Sequence, residues 1–183
     1  PVGMIQSDWG GTRIEAWMTV SAAQKVLPNI LESDPAYDEQ NRTARLYNAM
    51  ICPLTNFTAR GFLWYQGESN AGRPGEYEAL LTAMLKDWRV KFADEDLPFF
   101  IMQLPNFMQT HQQPVESGWA GMREAQRQVT LKLPNTSLVV AIDLGEWNDI
   151  HPLNKKELAR RVALQVKKKV YGHKDIVHSG PLC

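Results

Sequence analysis

The chain has 183 residues, 44% of them hydrophobic and 22% charged, with a formal net charge of zero. That is the size and composition of one globular domain with a good core, and the charge balance offers no electrostatic case for nucleic acid or an anionic membrane as partner. No apolar run approaches the ~20 residues of a membrane span, and two cysteines, Cys52 and Cys183, are too few for a disulfide scaffold, so two unpaired thiols are expected.

Val2–Ser7 reads as a short apolar strand, with Asp8–Thr12 as the turn after it. Two adjacent glycines in that turn, Gly10 and Gly11, let the backbone approach a ligand and aim N–H groups at it. Ile14–Val20 opens a helix or a short helical turn. Residues 21–45, interrupted by Pro28 and Pro35, read as helical pieces with a surface excursion. A central strand is predicted at Ala59–Tyr65, and it stops abruptly in the polar turn Gln66–Asn70. That turn, QGESN, brings an amide, a carboxylate and a hydroxyl together. Pro74 suits a first helical turn. Tyr77, Leu80, Leu81, Met84, Leu85 and Trp88 then recur at three- and four-residue spacing, which predicts a core-facing helix over 75–92. Leu97–Leu104 is a second buried strand, followed by a polar loop in which His111 is a solvated residue. Trp119–Leu133 reads as a helix stopped by Pro134 and Asn135. Ser137–Leu144 is the most β-like run, and GEWNDIHP follows it at 145–152. Asn154 is the expected N-cap of a last helix, Lys155–Val170. Its Lys167, Lys168 and Lys169 complement the helix dipole as a solvated face rather than forming a nucleic-acid patch.

Four strands alternating with amphipathic helices predict an α/β fold with a mostly parallel sheet covered on both faces. Such sheets bind ligands at the carboxyl ends of their strands, so the turns at Gly10–Gly11, Gln66–Asn70 and Asn148–His151 are expected along one edge. His151 has Asp143, Glu146 and Asp149 close by in sequence, and a histidine steered by a carboxylate is the general base of acyl transfer. The nucleophile stays open at this point. Residues 67–71, GESNA, nearly match the G-x-S-x-G elbow, which makes Ser69 the nucleophile of a self-contained hydrolase. Alternatively Glu68 is a triad carboxylate and the nucleophile lies elsewhere. A reading from another class is a non-catalytic flavodoxin-like or sugar-binding domain whose polar turns only recognise a ligand.

WGGT at 9–12, WYQGESN at 64–70, and NDIHP at 148–152 followed by NKKELARRVAL together resemble the sialate O-acetylesterase family. That family belongs to the SGNH-type hydrolases and is close to the acetylxylan esterases that share the QGES turn. The resemblance spans nearly the whole chain, with its segments in the family's order. It implies a flavodoxin-like three-layer α/β/α fold and the removal of O-acetyl esters from sugars by a serine nucleophile, with no cofactor or metal. Acetylxylan is the alternative substrate. Carried over by position, His151 matches the general base and Gly11 or Gly10 a backbone oxyanion donor, while Gln66 and Asn70 fall among the oxyanion and substrate-binding groups. Many SGNH enzymes place an aspartate three residues before the histidine, where this chain has Asn148. Glu68 and Asp149 are then the candidate partners of His151, Glu68 ranking first. The family's nucleophile lies in a Gly-Gln-Ser-Asn segment on a first strand, and no such segment occurs in these 183 residues. The resemblance therefore implies an excised or cleaved piece. Its esterase domain would span 1–172, with a C-terminal extension or linker beginning at 173 and the nucleophile strand on another segment or chain. A secreted or periplasmic location is implied by the family alone.

Overall fold

Three of the four expected strands form a parallel sheet in the computed structural model, which describes residues 2–33 and 38–177. The strands β1 (Phe62–Trp64), β2 (Phe99–Met102) and β3 (Thr136–Val139) lie side by side in that order, with Phe62 opposite Phe99 and Phe99 opposite Thr136. Every residue of β2 is buried, as befits a central strand covered on both faces. Parallel strands need crossover connections, which helices supply: α3 (Pro74–Lys91) between β1 and β2, and α4 (Gly118–Lys132) between β2 and β3.

The chain divides into two compact units, one of residues 1–58 with 79–95, the other of residues 59–78 with 96–183. The second unit holds the sheet. On one of its faces Phe100, Met102 and Val139 pack with Leu158 and Val162 of α5 (Lys155–Lys169). Asn154 caps α5 as expected, its side chain accepting from the Glu157 N–H at 3.3 Å. The predicted boundary at residue 172 falls three residues after α5; residues 178–183, Cys183 included, lie outside the described ones. Cys52 is free and exposed. No helix among the described residues is long and apolar enough to cross a membrane.

The first unit is built of short helices: a 3-10 turn at Ile14–Trp17, α1 (Val20–Val26), α2 (Ile30–Ser33) and a π-type turn at Tyr47–Ile51, with the later turns of α3. The Trp88 indole donates to the Trp17 carbonyl at 3.1 Å. The strand expected at Val2–Ser7 is not formed. Residues 2–6 are irregular and exposed, so their apolar side chains gain no burial and their backbone has no ladder to join.

β3 ends earlier than its apolar run, at Val139 rather than Leu144, because side chains take over the backbone. The Arg161 guanidinium donates to the Val140 carbonyl at 2.9 Å and grips both oxygens of Asp143 at 2.7 Å, tying the outgoing loop to α5. Arg161, by its hydrogen bonds, holds the Asp143 carboxyl below its ordinary value. A carboxyl depressed in the folded state adds stability above its unfolded pKa and gives it up as pH falls through the folded value. Acidification below about 4 is therefore expected to loosen the 140–143 loop before the helices melt. Amide exchange at Leu144 rising ahead of the far-UV transition would show it.

Candidate active site

The end of β1 is held by an unusually complete set of buried hydrogen bonds. Gln66 is buried, and its Nε2 donates to Asn70 Oδ1 at 2.9 Å while its Oε1 accepts from the Tyr77 hydroxyl at 2.7 Å. The Gln66 carbonyl accepts from Gln126 Nε2 at 3.0 Å, and Gln126 Oε1 in turn accepts from the Leu104 N–H at 2.9 Å. Gln126 is fully buried on α4, so a single amide joins the ends of β1 and β2 where the chain leaves the sheet. Nothing in the QGESN turn announces this residue. Its signal is that it interrupts the buried stripe Trp119, Met122, Val129 at helical spacing. Gly67 has φ +149°, and a Cβ there would lie 3.0 Å from Met122 Cε and 3.3 Å from Gln126 Nε2, so the position admits only glycine without strain.

Glu68, Ser69 and Asn70 form a 3-10 turn beyond that glycine. Asn70 is buried, Glu68 half-buried and Ser69 exposed. The Tyr65 hydroxyl is buried with no hydrogen-bond partner; burial, then the nearby charge of Glu68, pushes its pKa up to about 12. A phenol with that pKa is neutral at physiological pH. Lys155, in the first turn of α5, holds its ammonium 4.9 Å from the centre of the Tyr65 ring.

His151 lies in the loop between β3 and α5. The Asp149 Oδ1 accepts the His151 backbone N–H at 2.8 Å and stands 3.6 Å from the imidazole Nδ1. That is an ion-pair distance just beyond a hydrogen bond, on an imidazole that is 88% exposed. Among the described residues no hydrogen bond or ion pair joins His151 to Glu68 or to Ser69, so the carboxylate brought to the imidazole is Asp149, the second-ranked of the two. Asp143 is engaged with Arg161 instead.

Gly10 and Gly11 belong to the other unit and do not follow a strand there, since Val2–Ser7 forms none. Their turn is nonetheless firmly set. The Thr12 hydroxyl donates to the Trp9 carbonyl at 2.7 Å and accepts from the Trp17 indole at 2.9 Å, and Asn41 donates to the Gly11 carbonyl at 3.2 Å. Gly11 has φ +72°, and nothing lies within 4 Å of where a Cβ would stand on either glycine. The turn thus presents open backbone. No group of three or more metal-ligating side chains occurs among the described residues.

The family profile described as carbohydrate esterase, sialic acid-specific acetylesterase, matches residues 1–167. Human sialate O-acetylesterase is 33% identical over 202 residues, an alignment covering all of this chain and 38% of the relative. The mouse sialate O-acetylesterase is 30% identical over 230 residues, covering all of this chain and 42% of the relative. The chain thus spans about two fifths of the length of these curated relatives. In three dimensions it superposes on the crystal structure of a carbohydrate acetylesterase from Xanthomonas citri with a TM-score of 0.81 and 39% identity, over 96% of this chain and 38% of that one. The fold is therefore the SGNH-like α/β/α fold that the family resemblance implied, with the parallel sheet that the alternation of strands and helices predicted. With a matching profile over residues 1–167 and three motifs in order, the chain belongs to the family of sialic acid-specific acetylesterases, a family of carbohydrate esterases.

Proposed function

We propose that the protein to which this chain belongs is a carbohydrate O-acetylesterase that releases acetate from O-acetylated sialic acid. The observation that carries the proposal is the His151–Asp149 pair, 3.6 Å apart, on a segment that the family profile includes. In this reading His151 takes the proton of a serine hydroxyl as its oxygen attacks the acetyl carbonyl. The imidazolium then returns that proton to the departing sugar hydroxyl, leaving an acetyl-serine. A water molecule, activated by the same imidazole, adds to the acetyl group and frees acetate and serine. The Asp149 carboxylate orients the imidazole and stabilises its charged form, with Glu68 the competing candidate. By their match to the family's glycine turn, Gly10 and Gly11 are the candidate backbone oxyanion donors. Gln66 and Asn70 fix the turn that faces the substrate, and the buried amide of Gln66 is a further donor candidate.

The nucleophile in this reading is a serine on a segment outside these 183 residues, because none of them forms a Gly-Gln-Ser-Asn run. A secreted or periplasmic location belongs to the same proposal and rests on family membership. The test is acetate release from O-acetylated sialic acid by the full-length protein, with acetylated xylo-oligosaccharide as the competing substrate. Ser69→Ala is expected to retain wild-type turnover, since Ser69 is exposed in a 3-10 turn and bonds to no histidine among the described residues. Turnover abolished by Ser69→Ala would place the nucleophile there and overturn the external serine. Acetate released from xylo-oligosaccharide alone would overturn the sialic acid assignment.

A further inference from the structure

Past the carboxyl ends of β2 and β3 the two outgoing loops run together as if the sheet continued. The Asn106 N–H donates to the Ile142 carbonyl at 3.2 Å, the Gly145 N–H to Asn106 Oδ1 at 2.9 Å, and the Met108 N–H to the Trp147 carbonyl at 2.8 Å. The loops touch so closely that a Cβ on Gly145 would lie 2.3 Å from the Asn106 carbonyl oxygen. The Trp119 indole braces the first loop from beneath, donating to the Pro105 carbonyl at 2.7 Å. Trp147 is thus carried on backbone fixed at its own carbonyl, yet the residue is 55% exposed; Trp9 is exposed to the same degree, at 53%, whereas Trp17, Trp64, Trp88 and Trp119 are all buried. Beside Trp147 lies a shallow, open depression of about 300 Å³ that it lines with Gln109 and Thr110. The Glu146–Asp149 bridge closes a tight turn with Trp147 in it, placing the indole two residues before Asp149 and four before His151.

We propose that Trp147, Gln109 and Thr110 form a sugar-stacking subsite, in which the C–H face of the acetylated sugar lies on the indole. An exposed indole on a fixed backbone offers a large rigid contact at little entropic cost. Gln109 carries both donors and an acceptor, and the Thr110 hydroxyl is either, which matches the hydroxyl groups around a sugar ring. Because the depression is open on one side, it offers a single stacking face flanked by polar groups rather than an enclosing pocket. Trp147 is then a specificity residue: it holds the sugar ring on the same loop that carries His151, four residues further along the chain. The inference rests on the acetylesterase reading for its substrate, but the stacking itself is measurable without turnover.

The experiment compares two esters on the full-length protein, O-acetylated sialic acid and vinyl acetate, which has no ring to stack. In Trp147→Ala the ratio of kcat/KM for the sugar to that for vinyl acetate is expected to fall about ten-fold, mostly through KM, and Trp147→Phe is expected to recover most of it. An unchanged ratio overturns the subsite. A wild-type protein that cleaves vinyl acetate but no acetylated sugar defeats the functional reading instead. In that event the subsite is judged by titrating unacetylated sialic acid into 5-fluorotryptophan-labelled protein. A saturable shift of one fluorine resonance that is missing in Trp147→Phe supports the subsite; no shift up to tens of millimolar sugar refutes it.

Discussion

Replacing His151 by alanine in the full-length protein is expected to lower acetate release by about 10⁴-fold or more, the scale seen when a hydrolase loses the base of its triad. The size of the effect can be assigned to chemistry because the side chain is 88% exposed. Substitution of such a side chain changes folding stability by roughly 0.5 kcal/mol or less, so the thermal midpoint should stay within about two degrees. Steady-state kinetics paired with a melting curve make the check. A loss of less than about ten-fold would remove His151 from the proposed mechanism.

The same experiment ranks the carboxylates. In Asp149→Asn the new Oδ1 can still accept the His151 N–H, so the turn survives, but a neutral amide no longer stabilises the imidazolium. A loss of about 10²- to 10⁴-fold in kcat is expected, with a much smaller loss for Glu68→Gln, whose carboxylate has no bond to the imidazole. The reverse order would return the role to Glu68, as the QGES-type resemblance ranks it.

The long periodic segments were legible from the residues because the stripe Tyr77, Leu80, Leu81, Met84, Leu85, Trp88 is entirely buried in α3, and Asn154 starts α5 where a cap was expected. Val2–Ser7 misled because an apolar run looks alike whether or not a neighbour exists to pair with it; strand formation is a property of two segments, and local composition records only one. The Asp149–His151 pair was visible as spacing, but spacing alone left three nearby acids equivalent. It took the Arg161 grip on Asp143 and the backbone capping by Asp149 to separate two of them. Gln126 escaped notice for a different reason. On a helix rich in Arg, Glu and Gln it looks like one more surface residue, and only its position in the Met122–Val129 stripe distinguishes it.

That stripe position gives the second large effect. Gln126→Leu keeps the volume of the buried side chain but leaves the Leu104 N–H and the Gln66 carbonyl without the amide that joins them. An orphaned buried polar group costs about 1–3 kcal/mol, and two of them should lower stability by about 2–6 kcal/mol. The single proton of the Tyr77 hydroxyl, 2.7 Å from Gln66 Oε1 and 3.1 Å from the Gln66 carbonyl, can serve only one of these oxygens at a time, so it offsets the loss in part at most. The freed β1 end should also let the Gln66–Asn70 turn drift from its geometry, and kcat should fall more than KM rises. Gln126→Glu separates positioning from simple destabilisation. A buried carboxyl has its pKa raised by desolvation; protonated, it can again donate to the Gln66 carbonyl and accept from the Leu104 N–H, whereas ionised it can only accept. Because its folded pKa lies above the unfolded one, the variant's added stability is present at low pH and is lost as pH rises through the raised value. The ratio of variant to wild-type kcat, taken where circular dichroism shows both proteins folded, should therefore climb as pH falls from about 8 to 6. A ratio flat across that interval would mean that Gln126 supports the core without positioning the turn.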